Sequence, residues 1–225
     1  MILFKVKREP GRPLLSVASL RLKKDMEELA SKRYLAGYTN VNISIPYMDG
    51  IYICVPVSFH VKSDCDCPYS NANFKTIIKV SPGYPFKPPE MFVLNKVYHP
   101  NVDLDTGAVH MQVLQEYEWK PVLTLNSIIF AFETLLNEPN LNLVPCNPYN
   151  IDMAQVYATA YDKFYERVRW TMNGGVFLEK YEFEYNYGEN KNKRRIRNEN
   201  CGNAKRHRYY EDSEGMGAEI ELKYN

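Results

Sequence analysis

Four histidines and five cysteines are the residues of this chain best suited to nucleophilic, acid-base or metal chemistry. Two of the histidines lie close together in HPNVDLDTGAVHMQVL, residues 99 to 114, where a His-Pro-Asn turn precedes Gly107 and then His110 between apolar neighbours. An imidazole at position 110 can attack an acyl donor, but the acyl-imidazole it forms hydrolyses readily and makes a short-lived carrier. The competing reading of His110 is a histidine that fills a pocket.

The cysteines are Cys54, Cys65, Cys67, Cys146 and Cys201, an odd number at irregular spacing, which fits reduced thiols better than a disulfide framework. His60, Cys65 and Cys67 form an H-x4-C-x-C pattern that lacks a fourth ligand and the paired spacing of a zinc site, so no metal and no cofactor is expected. Each cysteine is a candidate thiol to be judged by its surroundings, Cys146 in EPNLNLVPCNPYN among them, where the plain reading is a small, partly buried thiol.

The elements that must position these residues read as an α+β pattern. In SVASLRLKKDMEELASK, Leu15, Leu22, Met26 and Leu29 fall on one helical face behind a Ser16 cap. Residues 41 to 61 are rich in β-branched and aromatic side chains, with an Asp49-Gly50 hairpin signal between two strands. FKTIIKV adds a third strand, and MFVL, after four prolines in residues 82 to 89, a fourth. Residues 95 to 124 keep no period and read as a long irregular connection. The run TLNSIIFAFETLLNEPN is a buried helix behind Thr124. One further helix, near residues 151 to 175, aligns Met153, Val156, Ala160, Phe164 and Val168 and stops at Gly174 and Gly175.

The bulk composition leaves the partner to local features. With 225 residues, 45% of them hydrophobic, and a net charge of +1, the chain fits one domain of roughly 150 to 190 residues with extra segments. Residues 1–15 read as an N-terminal peptide and linker, 16–185 as the core domain and 186–225 as a basic then acidic tail without a packed core. That tail carries eight Lys or Arg between Lys191 and Arg208, suited to nuclear targeting or weak phosphate contact. No run reaches the roughly 18 apolar residues of a membrane span. A cytoplasmic or nuclear address is therefore the expectation, without membrane association, and a tail-mediated nucleic-acid binder is the last-ranked function.

GYPFKPPEMFVLNKVYHPN, EWKPVLTLNSII and LLNEPN, in this order and spacing, make residues 16 to 183 similar to ubiquitin-conjugating enzymes. In KVYHPNVDL, WKPVLTLNSII and RWTMNGGVFLEKYEFE the chain resembles the branch that conjugates the ubiquitin-like modifier of neddylation. The resemblance implies an N-terminal helix, a four-stranded antiparallel meander, a long active-site loop and C-terminal helices. It also implies partners: a ubiquitin-like modifier, its activating enzyme and a RING-type or cullin-associated ligase. MILFKVK looks like that branch's docking peptide for the activating enzyme, with Met1, Ile2, Leu3 and Phe4 as anchors; the competing reading is cover for the domain's own core.

Family members carry the modifier as a thioester on one cysteine and pass it to a lysine amine. By resemblance, His99, Pro100 and Asn101 form the active-site turn, with Asn101 supporting the loop and the developing oxyanion. The family cysteine's position, after Gly107, Ala108 and Val109, holds His110. Two readings follow: a non-catalytic relative that acts by binding, and a working transferase, modifying cullin-type targets, whose thiol has moved to a place such as Cys146.

Overall fold

The computed structural model describes residues 16–31, 38–62, 67–177 and 180–187. Met1 to Phe4, the anchors expected of a docking peptide, Cys65 and the stretch from 188 to 225 lie outside the described residues. The chain divides into two compact units, residues 1–188 and 189–225, and every described residue belongs to the first.

Helix α1 spans Val17–Ala30, and the Ser16 side chain caps it by accepting the Ser19 N–H at 3.2 Å. Its buried face is Ala18, Leu22, Asp25, Met26 and Leu29, the three-and-four spacing of one helical side. The strands β1 (Tyr38–Ile43), β2 (Tyr47–Asp49), β3 (Tyr52–Val61), β4 (Asn73–Val80) and β5 (Glu90–Val93) follow, all paired antiparallel.

β1 lies opposite Val57 to Val61 of β3 and β2 opposite Tyr52 to Cys54, so the two share one side of β3. The meander therefore has the four rows expected, with its first row interrupted at residues 44–46, where Pro46 has no N–H to give the ladder. The hairpin loop is Gly50 and Ile51, closed by the Asp49–Tyr52 pair, with Gly50 at φ +58°. Burial alternates along β4, with Phe74, Thr76, Ile78 and Val80 inward, as a half-covered sheet requires.

Helix α2 (Leu125–Asn137) covers that inner face. Ile128, Ile129 and Phe132 are fully buried, and the Phe132 ring stands edge-on to Phe59 and Phe74 with centroids at 5.8 and 5.6 Å. The proline-rich turn before β5 is locked from two sides. Trp119 donates its indole N–H to Pro85 O at 2.6 Å, and the Tyr84 hydroxyl donates to buried Asp25 of α1. Arg21 pairs with the same carboxylate at 2.7 Å and reaches Leu123 O, fastening α1 to the chain just before α2.

The single helix expected over residues 151 to 175 is two helices, α3 (Pro148–Thr159) and α4 (Tyr161–Met172), parted at Ala160 with φ −148° and ψ 66°. The apolar positions explain the correction. From Val156 onward they step by four residues, which turns the face about 40° each time on a straight helix. Ala160, placed in the expected stripe, is exposed, and the break lets Met153 on one side and Phe164 and Val168 on the other stay buried. Tyr157 and Phe164 pack edge-on across it at 5.2 Å.

A short hairpin, β6 (Val176–Phe177) with β7 (Tyr181–Glu182), closes the fold. The chain then runs back along α4 and the start of β4: Phe183 N–H bonds Gly175 O, Asn186 N–H bonds Met172 O, and Asn186 O accepts from Asn73 N–H at 2.9 Å. Asn186 and Tyr187 are buried. The packed region thus runs two residues past the expected boundary at 185, because the backbone of Asn186 and the ring of Tyr187 still have partners.

Candidate functional site

The His-Pro-Asn turn follows β5 and is buried throughout. His99 has no exposed surface; its Nε2 bonds Leu135 O at 3.0 Å, and its Nδ1 accepts the Asn101 N–H at 2.9 Å. One neutral tautomer, protonated on Nε2, satisfies both. Burial lowers its pKa to about 4, only partly offset by the Leu135 carbonyl, so the ring is an uncharged brace at neutral pH.

Asn101 clamps the segment after α2. Its Oδ1 accepts the Asn140 N–H at 2.8 Å, and its Nδ2 donates to Asn140 O at 2.7 Å and Leu143 O at 3.1 Å. Both amide hydrogens are thereby engaged with backbone carbonyls, which makes loop support the visible task of this side chain.

From Val102 to Val109 the chain folds on itself as a small hairpin beside β5. Val102 bridges Val109, Phe92 bridges Ala108, and Val93 N–H bonds Gly107 O at 2.8 Å. Gly107 sits at φ +74° with its α-carbon so close to β5 that a Cβ would lie 2.2 Å from Val93 O. Only glycine fits there. At the tip, Asp103 Oδ1 accepts the N–H groups of Asp105 and Thr106, and Asp105 receives the Tyr181 hydroxyl at 2.8 Å and the Lys180 ammonium at 3.3 Å. The Tyr181 bond, joined by that of Lys180, holds the Asp105 carboxyl below the usual range.

The hairpin delivers His110, whose backbone N–H bonds Asn101 O at 2.8 Å. Its ring is half-buried and makes no hydrogen bond or ion pair among the described residues. Cys146 is exposed, three residues beyond the Leu143 carbonyl that Asn101 holds, whereas Cys54 and Cys67 are buried. His60 bonds Asn73 Oδ1 through Nδ1 at 3.0 Å, and no group of three metal-binding side chains occurs among the described residues.

Sequence reasoning overlooked Asn150, on the first turn of α3. This fully buried amide bonds the carbonyls of His99, Pro100 and Val102. It also overlooked Asn147, the α3 cap, whose Nδ2 reaches Asp105 Oδ2 at 3.2 Å. The Asn-Pro-Tyr-Asn run signals a helix start, which was a readable cue for the cap but not for the long-range bonds.

Comparison with known proteins agrees with this architecture. The ubiquitin-conjugating enzyme family model matches residues 21–172. Over 160 residues the chain is 36% identical to the NEDD8-conjugating enzyme Ubc12 of Arabidopsis thaliana, covering 71% of this chain and 79% of that one. It is 32% identical over 174 residues to the NEDD8-conjugating enzyme Ubc12 of Dictyostelium discoideum, covering 74% and 66%. With ubiquitin-conjugating enzyme E2 1 of Schizosaccharomyces pombe the identity is 38% over 105 residues, and the match spans 46% of each chain. The solved structure of S. cerevisiae Ubc12 superposes with a TM-score of 0.62 at 32% identity, over 79% of this chain and 90% of that one. With a matched region reaching from α1 to the last residue of α4, the same α+β fold and these identities, the chain belongs to the ubiquitin-conjugating enzyme family.

Proposed function

We propose that this protein is a non-catalytic member of the neddylation branch, acting in the cytoplasm or nucleus by binding the activating enzyme, the ubiquitin-like modifier or a RING-type or cullin-associated ligase. The observation that carries the reading is His110 itself. The turn, the hairpin and the Asn101 clamp are all built, and they present an imidazole where the family resemblance places a thiol. A thioester keeps an acyl group activated until an amine arrives, whereas an acyl-imidazole loses it to water. The NEDD8-conjugating names of the similar proteins support the choice of branch.

A second reading has one observation behind it. Cys146 is exposed and lies just beyond the clamped segment, so a working transferase could use a relocated thiol. Productive acyl transfer tolerates little displacement of the nucleophile, which favours the first reading.

The test is to incubate the protein with the activating enzyme, ATP and modifier and to resolve the products without reductant. No reducible adduct is expected from the native chain, and one is expected from His110→Cys. A native adduct that disappears in Cys146→Ala would overturn the non-catalytic reading.

A further inference from the structure

We infer that Asn150 is the positioning residue of the active-site turn: it sorts the carbonyls of residues 99–102 so that the one belonging to Asn101 is left for residue 110. The division is visible bond by bond. Asn150 Nδ2 lies 3.2 Å from His99 O, 3.0 Å from Pro100 O and 2.7 Å from Val102 O. The remaining carbonyl, Asn101 O, accepts the His110 N–H at 2.8 Å. On its other side the Asn150 Oδ1 takes the Leu104 N–H at 3.4 Å, so one amide spans the turn from His99 to the start of the hairpin.

Neither neighbour can do this work. His99 spends Nδ1 on the Asn101 N–H and Nε2 on Leu135 O, and Asn101 faces away, toward Asn140 and Leu143. His99 O also accepts the Val102 N–H at 3.1 Å, so Pro100 O and Val102 O are the carbonyls that rely on Asn150, in a site with no exposed surface at that residue, where an unmatched acceptor costs on the order of 1 to 3 kcal/mol. Two amide hydrogens shared among three acceptors hold the carbonyls convergent, a geometry that mutual repulsion would otherwise open. The inference concerns the frame, holds for any side chain at position 110, and so stands apart from the proposed loss of thioester chemistry.

Asparagine-to-aspartate substitution keeps the shape and an acceptor while removing both N–H donors, leaving at most a single O–H where the buried carboxyl is protonated. The experiment measures amide hydrogen exchange residue by residue in the full chain, for the native protein, Asn150→Asp and Asn150→Ala, at pH 7. His110 and Leu104 amides are expected to lose at least about tenfold of their protection in both variants, relative to Phe132 of α2 in the same sample. If Asn150 only fills space, Asn150→Asp will leave His110 protected, and the inference fails. It fails equally if His110 and Phe132 lose protection in parallel in both variants, because the loss is then global rather than confined to the turn.

Discussion

At the scale of single residues, His99 is the most constrained member of the site, and its titration carries a stability cost that can be read from outside. Its folded pKa is about 4, against about 6.5 for an unfolded histidine, so between those values the unfolded chain binds the proton and the folded one does not. The contribution is fully present above pH 6.5 and is lost as the pH falls toward 4, amounting to about 2 kcal/mol by pH 5. Urea midpoints at pH 7.5 and 5.0 should record that loss, and His99→Gln, which carries no titrating ring, should flatten the difference. A native midpoint that does not move would mean that the ring is solvated. His99, Asn101 and His110 could be found from sequence because they sit within twelve residues of one another. Asn150 could not, because its partners lie about 50 residues upstream and only the docking of α3 brings them within reach.

At the scale of elements, the hairpin of residues 102–109 depends on a contact between two backbones. Gly107 runs against β5 at φ +74°, and a methyl group there would meet Val93 O at 2.2 Å, an approach that no rotamer change relieves. Gly107→Ala should therefore cost about 2 to 4 kcal/mol in urea denaturation, combining the conformational penalty with forced separation of the strands. A cost below 0.5 kcal/mol would mean that the hairpin can swing clear of β5. The regular elements were legible: the caps and apolar spacing of α1 and α2, and the alternation of β3 and β4, follow from local side chains. The break at Ala160 and the two-part first row of the sheet were legible only in part, through the four-residue steps after Val156 and the missing N–H of Pro46. Both answer to packing: the drift of an apolar face decides the first, and a shared edge of β3 decides the second.

For the whole molecule, the place where the packed unit ends is a question of partners rather than composition. The charge-rich stretch after 185 suggested a boundary there, yet composition is blind to what a passing backbone can bond. Asn73 N–H, at the first position of β4, is satisfied by Asn186 O, and Tyr187 bridges Ala72 while its ring receives the Arg169 guanidinium at 4.7 Å. Phe183, 4% exposed, enters the same core. Truncation after Tyr187 should leave the urea midpoint where it stands in the full chain, because every described contact of the first unit survives. Truncation after Glu182 removes two buried aromatic side chains and uncovers the Asn73 N–H, and should cost about 3 to 6 kcal/mol. Equal midpoints for the two truncations would mean that residues 183–187 merely lie on the surface. The shorter chain losing stability alone would place them inside the cooperative unit that holds the turn, the hairpin and His110.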